Sequence, residues 1–225
     1  MSCRTATSSN SSSTYNISGG DPRRFFERSC MKHFETELPE GYRSVCEINA
    51  KNKKTGVILN FVALLIGILI FLLFAFAFGF RELFRSEIRG RFLLMFAVYF
   101  VGYIVYIVLH ELVHGAAYKL LTHRKLTFGF ALSVAYCGVP DIYVYRKASL
   151  IATLAPFVVF TAVLLPLALF VQMPALRFAF VLLFCSHVAG CVGDLYGVFL
   201  MLFRFRDPQL LVCDTGPKQT YYLPE

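Results

Sequence analysis

Charged side chains are scarce in this sequence. Asp, Glu, Lys and Arg make up 16% of its 225 residues, whereas a typical soluble domain carries about 25% charge. Hydrophobic residues reach 57%, which is more than a soluble core of this size requires. The net charge of +8 does not form one basic patch, because Lys and Arg cluster at the ends of apolar runs. We therefore predict a membrane protein with anionic lipid headgroups as neighbours, and no nucleic-acid partner.

A paired cysteine pattern is also missing. The chain has seven cysteines, an odd number, and no CxxC sequence. Cys185 and Cys191 fall inside an apolar run. Neither a disulfide framework nor a cysteine-rich zinc site is therefore predicted. We expect free thiols that pack as small apolar groups.

Apolar side chains are few at the amino terminus. Residues 1–24 are rich in Ser, Thr, Asn and Gly, so they bury too little surface to offset the entropy of ordering, and we predict a disordered tail. The tail lacks the apolar region of a signal peptide. Residues 25–56 mix charges with aromatic residues, which predicts a short helical or interfacial juxtamembrane segment.

Long apolar runs dominate the rest of the chain. Residues 57–80 contain no charged side chain, and at about 1.5 Å per residue they can cover a hydrocarbon core of about 30 Å. The pattern predicts an all-α integral membrane protein with a polar C-terminal tail at residues 204–225. The membrane domain covers residues 57–203, with four predicted spans at residues 57–80, 92–121, 148–171 and 175–203.

A period-two pattern interrupts the helical ones after the second span. Apolar residues alternate with small ones from Leu126 to Ala135, which predicts a strand. Residues 138–141 read as a turn, and residues 142–145 as a second strand. We therefore expect a short β-hairpin between the second and third membrane helices, either at the membrane interface or against protein.

Lys and Arg are distributed unevenly between the two sides of the predicted membrane domain. With four spans, both termini and the loop between the second and third spans share one side. Near the spans, that side carries more than twice as many Lys and Arg residues as the other side. The positive-inside rule then predicts that both termini are cytoplasmic.

His110, Glu111 and His114 form an HExxH motif near the end of the second apolar run. The four-residue spacing places both imidazoles on one helix face, one turn apart, as binding of a single Zn²⁺ requires. Glu111 stands beside the first ligand and can act as general base. The motif could instead merely end the helix at headgroup level. Three ionisable groups within an apolar helix are costly, however, which favours a functional role.

A catalytic zinc site needs a third protein ligand, and His187 and Asp194 are the candidates in the fourth run. The second and fourth spans run in the same direction. His110 and Asp194 lie almost equally far from the starts of their spans, whereas His187 is about 9 Å shallower. We therefore predict Asp194 as the third ligand. His187 shares its helix face and could contact substrate or an oxyanion, or could form hydrogen bonds between helices.

These residues resemble a family of membrane-embedded zincin peptidases that was long catalogued as a domain of unknown function. The resemblance covers about residues 92–203, and HELVHG at residues 110–115 is its most specific part. It extends to looser blocks, namely Tyr118-Lys119-Leu120, Phe128-Gly129, Ala135-Tyr136, Leu154-Ala155-Pro156-Phe157 and Gly193-Asp194.

The arrangement is also similar to site-2 proteases, in which HExxH and a distant Asp hold zinc within the bilayer. The resemblance implies Zn²⁺ as cofactor and Glu111 as general base, with three zinc ligands, His110, His114 and Asp194. One departure is that His187 stands roughly where site-2 proteases have an Asn-containing motif. A second is that Leu195 follows Asp194, where those enzymes have Gly.

Three functions are open at this point. The first is a zinc metalloendopeptidase that cleaves a membrane-anchored or membrane-proximal protein in or near the bilayer. The second is a non-catalytic scaffold or pseudoprotease with a structural metal site. Glu111 favours the enzyme, because a structural site needs only the ligands. The third is a metal carrier or transporter that uses the ionisable groups as a pathway, and the lack of an evident inverted repeat argues against it.

Overall fold

The computed structural model describes residues 33–49, 52–79, 90–131 and 134–225. The predicted disordered tail, residues 1–24, lies outside these ranges. Within them the protein is mostly helical, but it also contains two small β-sheets. The prediction of a mostly helical protein is therefore confirmed, but seven strands occur in the described part of the chain where one short hairpin was predicted.

Helices occupy the four predicted spans. The first three are each long and apolar enough to cross a membrane, and the fourth is a helix pair bent by 41° at its break. Their ends lie within a few residues of the predicted ones. The helices are α1 Lys53–Phe78, α2 Phe92–Thr122, α3 Arg146–Phe170, α4 Pro174–Gly190 and α5 Val192–Phe199, followed by a π-helical turn, Leu200–Arg204.

Local sequence signals explain several helix ends. The Asn52 side chain accepts a hydrogen bond from the Lys54 amide and caps α1, as Asn does at helix starts. Helix α2 ends at His123, which adopts a left-handed φ of 54° and donates its N–H to the Lys119 carbonyl. Pro174 begins α4, where its missing N–H costs nothing.

Three distant segments build a five-stranded antiparallel sheet with the order β1-β5-β6-β7-β2. Two of the four helical spans separate each of these segments from the next, where the α4–α5 pair counts as one span. The amino-terminal segment, the loop before α3 and the C-terminal segment therefore meet on one side of the helices. The strands are β1 Phe34–Glu35, β2 Tyr42–Asn49, β5 Tyr143–Tyr145, β6 Leu211–Asp214 and β7 Lys218–Pro224.

This sheet changes two expectations. The juxtamembrane segment forms β2 where a short helix was one predicted option, and the polar C-terminal tail forms β6 and β7. Leu211 and Tyr221 in these last strands are fully buried. Strands this short have weak patterns of their own, and their stability comes from pairing with segments far away in sequence.

The predicted hairpin exists between α2 and α3, but in a different register. Strand β3, Thr127–Ala131, pairs with β4, Val134–Gly138, so that Ala131 lies opposite Val134. The predicted second strand at residues 142–145 instead contributes β5 to the larger sheet. The period-two pattern of the sequence runs unbroken from Leu126 to Ala135, so it did not reveal that the chain reverses within this segment.

Apolar side chains cover the outer faces of the helices as well as the core. Phe74, Tyr106 and Val181 belong to a buried cluster between the helices. On the outside, Phe76 is 85% exposed and Leu93 is 81% exposed. Soluble proteins rarely expose continuous apolar surface, so this surface fits a lipid environment.

The cysteines follow the prediction only in part. Four of them are free thiols, as expected. Cys46 in β2 is disulfide-bonded, with a partner outside the described residues, and the odd cysteine count had not indicated this bond. The free thiols belong to Cys137, Cys185, Cys191 and Cys213.

Candidate metal centre

Helices α2 and α5 bring His110, His114 and Asp194 together. The Nε2 atoms of His110 and His114 lie 3.2 Å and 3.4 Å from the same oxygen, Oδ2 of Asp194. One ligand atom from each of the three residues lies within 4.8 Å of the others. Both imidazoles are buried. The bend between α4 and α5 contributes directly, because it places Asp194 in the first turn of α5.

The spacing of these donors fits zinc. With zinc–ligand bonds of about 2.0–2.1 Å, two ligands of a tetrahedral site lie about 3.3–3.4 Å apart. The two nitrogen–oxygen distances of 3.2 Å and 3.4 Å agree with this value. Two imidazoles and one carboxylate are also a ligand set typical of catalytic zinc, which uses three protein donors rather than four.

A backbone carbonyl orients His114. Its Nδ1 lies 2.9 Å from the carbonyl oxygen of Ala152 in α3. A carbonyl can only accept a hydrogen bond, so Nδ1 carries the proton and donates it. The lone pair of Nε2 therefore faces Asp194, as a metal ligand requires.

A tyrosine hydroxyl orients His110. The Tyr106 hydroxyl lies 2.9 Å from His110 Nδ1 and 3.0 Å from His187 Nδ1. The other ring nitrogen of His187, Nε2, lies 3.1 Å from Thr161 Oγ1. Sequence analysis did not single out Tyr106. The available signal was its spacing, since Tyr106 precedes His110 by four residues and so shares its helix face.

His187 lies in the helix core next to the candidate metal centre. It is fully buried, both ring nitrogens have hydrogen-bond partners, and it is not among the residues that line the cavity. The hydrogen bonds to Tyr106 of α2 and Thr161 of α3 instead match the alternative of a histidine bonded between helices.

A second group of possible metal donors shares His110 and adds His187 and Cys191. The Tyr106 hydroxyl, however, lies among all three, at 2.9 Å and 3.0 Å from the two Nδ1 atoms and 4.0 Å from Cys191 Sγ. It already bonds the nitrogens that a metal would need. His110, His114 and Asp194 therefore form the candidate metal centre among the described residues.

The candidate metal centre opens into a cavity of about 180 Å³ between the helices and both sheets. By the same measure one water needs about 10–15 Å³, so the cavity has room for water beside a peptide group. Glu111 lines this cavity together with the three donors. Its other walls come from Ile48, Leu59, Tyr136, Cys137, Thr153, Gly190, Gly193, Asp214, Gly216, Pro217 and Gln219.

Two glycines let the β6–β7 turn approach the β3–β4 hairpin at this cavity. A Cβ on Gly138 would overlap the Gly216 amide nitrogen, and a Cβ on Gly216 would overlap the Tyr136 ring. Gly216 also has a φ of +92°, which side chains rarely adopt. The turn therefore docks through direct backbone contact.

Asp214 at the end of β6 is a buried carboxylate that sequence analysis missed. Its oxygens accept hydrogen bonds from the Tyr118 hydroxyl at 2.9 Å, the Gly216 amide at 2.8 Å and the Gln219 side chain at 3.2 Å. Burial nevertheless dominates and raises its pKa from 3.8 to about 6, because removing water penalises the charged form.

The fold and the site together define a mostly helical protein with a candidate metal centre built on the HExxH motif. Residues 103–207 match the family model described as "Putative zincin peptidase", so this part of the chain is similar to that family. The match confirms the family resemblance, which implies zinc, while the similarity to site-2 proteases stays a prediction. It includes the HExxH motif and Asp194 but ends before β6. No curated protein and no solved structure significantly matches the chain.

Proposed function

We propose that this protein is a zinc-dependent membrane metallopeptidase that hydrolyses a peptide bond of a membrane-anchored or membrane-proximal protein. The observation that carries this proposal is the position of Glu111, which lines the same cavity as His110, His114 and Asp194. A structural metal site needs only the ligands, whereas peptide hydrolysis also needs an adjacent base. The zincin family match supports the same function.

Different residues of the protein would bind the metal and transfer the proton. His110, His114 and Asp194 would hold zinc, which supplies a Lewis acid that lowers the pKa of water and polarises a carbonyl. The Glu111 carboxylate accepts a proton from the attacking water and returns it to the leaving amine. Helix α2 holds Glu111 beside the His110 ligand, so the base and the ligand keep a constant spacing.

The composition of the cavity walls supports a proposal about the position of the cleavage site. Ile48 of β2 and Gln219 of β7 line the cavity together with helix residues. Residues of the larger sheet therefore share the walls of this cavity with the helices that carry the candidate metal centre. We infer a four-span protein whose cleavage site is close to the membrane surface, on the side that carries the sheet.

The alternative is a scaffold or pseudoprotease in which zinc is structural. Glu111→Gln separates the two functions, because Gln keeps the size of the side chain but cannot accept the proton. We expect this variant to keep its zinc and to lose hydrolysis. The substrate probe is a set of single-span reporter proteins reconstituted with the enzyme in liposomes, and cleavage is read on gels.

Two outcomes would overturn the proposal. Cleavage by Glu111→Gln at the parent rate would mean that Glu111 is not the base. A parent protein that holds zinc but cleaves none of the reporters, with a known membrane protease as positive control, would favour the structural role.

A further inference from the structure

A chain of buried hydrogen bonds leads from the candidate metal centre into the helix core. It runs from His110 Nδ1 to the Tyr106 hydroxyl, then to His187 Nδ1, and from His187 Nε2 to Thr161 Oγ1. Tyr106 is 7% exposed and His187 is 0% exposed, so water does not compete for these bonds. This chain of hydrogen bonds joins α2, α4 and α3, and Glu111 takes no part in it.

The protons in this chain can be arranged in two directions. In the first, Tyr106 donates to His110 Nδ1, and the His110 proton then sits on Nε2 facing Asp194. In the second, His110 Nδ1 donates to Tyr106, and Tyr106 donates its single proton to His187 Nδ1. Only the second direction leaves the Nε2 lone pair of His110 free for a metal.

The far end of the chain accommodates the second direction. Thr161 Oγ1 lies 3.1 Å from His187 Nε2, and a hydroxyl oxygen can accept a hydrogen bond as well as donate one. In the second direction His187 therefore carries its proton on Nε2 and donates it to Thr161. Its Nδ1 then has a lone pair to accept the Tyr106 proton, and the Tyr106 oxygen is left to accept from His110 Nδ1.

We propose that Tyr106 is a positioning residue for the metal centre. His187 fixes the direction of the hydrogen bond between Tyr106 and His110. Through the Tyr106 hydroxyl, His187 holds His110 in the tautomer whose Nε2 is unprotonated and aimed at Asp194. This inference rests on the zinc site of the proposed function, but not on peptide hydrolysis. Metal binding alone therefore tests it.

The central experiment compares two tyrosine-to-phenylalanine variants. Loss of an outer hydrogen-bond partner of a metal ligand typically weakens metal affinity about 10–100-fold, and we expect this for Tyr106→Phe. The matched control is Tyr99→Phe. The Tyr99 hydroxyl bonds Ser186 Oγ at 3.1 Å and so joins the same two helices, α2 and α4, without touching a metal ligand.

Zinc affinity is measured by chelator competition on the purified full-length protein in detergent, and the melting temperature of the zinc-free protein is recorded beside it. We expect the two variants to lower the melting temperature similarly, and only Tyr106→Phe to weaken zinc binding. Equal zinc affinities in Tyr106→Phe and the parent, or an equal loss in Tyr99→Phe, would overturn the inference. Failure of the parent to bind zinc would instead overturn the proposed function.

A second pair of variants tests His187. His187→Asn can place its Oδ1 near the position of Nδ1 and so keep an acceptor for Tyr106, whereas His187→Leu removes the acceptor. We expect His187→Leu to weaken zinc affinity about as much as Tyr106→Phe and His187→Asn to weaken it less. Nitrogen NMR of the labelled histidines in the zinc-free protein should show His187 protonated at Nε2, and protonation at Nδ1 would overturn the proposed direction.

Discussion

His110 Nε2 lies 3.2 Å from Asp194 Oδ2, although 84 positions separate the two residues in sequence. The fourth span breaks at Gly190–Val192 and bends there by 41°. Asp194 lies just after this break, in the first turn of α5. The candidate metal centre is therefore assembled by the packing of two spans and not by the HExxH motif alone.

The metal content of the protein tests this assembly. We expect about one zinc per purified chain, and a strong loss of occupancy when His110, His114 or Asp194 is replaced by Ala, because each would remove one of three protein ligands. Occupancy is measured by elemental analysis after desalting, with the exposed His33→Ala as control. Full occupancy in Asp194→Ala would exclude Asp194 as a ligand and would bring His187 back into consideration.

Asp214 should make stability depend on pH. Its pKa rises from 3.8 to about 6 in the folded protein, so the native state holds the proton over a pH range in which the unfolded chain has lost it. The free energy of unfolding therefore falls as pH rises from about 4 to about 6, by about 3 kcal/mol for such a shift. Above that range the loss stays constant.

Asp214→Asn should remove this part of the pH dependence. The variant should also be less stable overall, because Asn presents N–H groups to a site that already has three donors, at a cost of about 1–3 kcal/mol. Melting temperatures of zinc-free protein are compared between pH 4.5 and 7.5, with the exposed Asp207→Asn as control. The same pH slope in Asp214→Asn and the parent would contradict this assignment.

Two glycine-to-alanine variants can distinguish the stability lost when the β6–β7 turn is displaced from the stability lost through backbone strain. Gly216 has a φ of +92° and contacts Tyr136, whereas Gly41 has a φ of +79° and open space around it. Ala at either position costs about 1–3 kcal/mol through strained backbone. Gly216→Ala should cost clearly more than Gly41→Ala in thermal unfolding, because the turn must also move away from Tyr136. Equal losses would mean that docking contributes little.

Some parts of this structure could be predicted from sequence because they depend on local spacing. The four helical spans follow from run length, and the one-turn spacing of His110 and His114 follows from helix geometry. The depth argument named Asp194 rather than His187, and the structure places Asp194 beside both histidines of the motif, while its role as a metal ligand stays a prediction.

Other parts depend on contacts between distant segments. The bond of Tyr106 to His187 exists only because α2 packs against α4, and neither residue shows a pattern that pairs them. Asp214 reaches the cavity because β6 joins a sheet with strands from three separate segments. The hairpin register was missed because the period-two pattern of the sequence continues unbroken from Leu126 to Ala135.

The orientation of the chain remains a prediction, and two observations point to opposite sides. The Lys and Arg distribution places the termini in the cytoplasm, whereas the disulfide of Cys46 is typical of an oxidising compartment. Asn10 and Asn16 each begin an N-x-S sequon, outside the described residues, and such sequons are modified only in a glycosylating lumen. They therefore act as built-in reporters of the side on which the amino terminus lies.

From the charge distribution we expect no glycosidase-sensitive mass shift when the protein is made in a eukaryotic cell, with the Asn10→Gln, Asn16→Gln double variant as control. A glycan at Asn10 or Asn16 would reverse the orientation. The metal centre would survive that reversal, because α2 and the α4–α5 pair would still run in the same direction. The cleavage site would then face lumenal rather than cytoplasmic substrates.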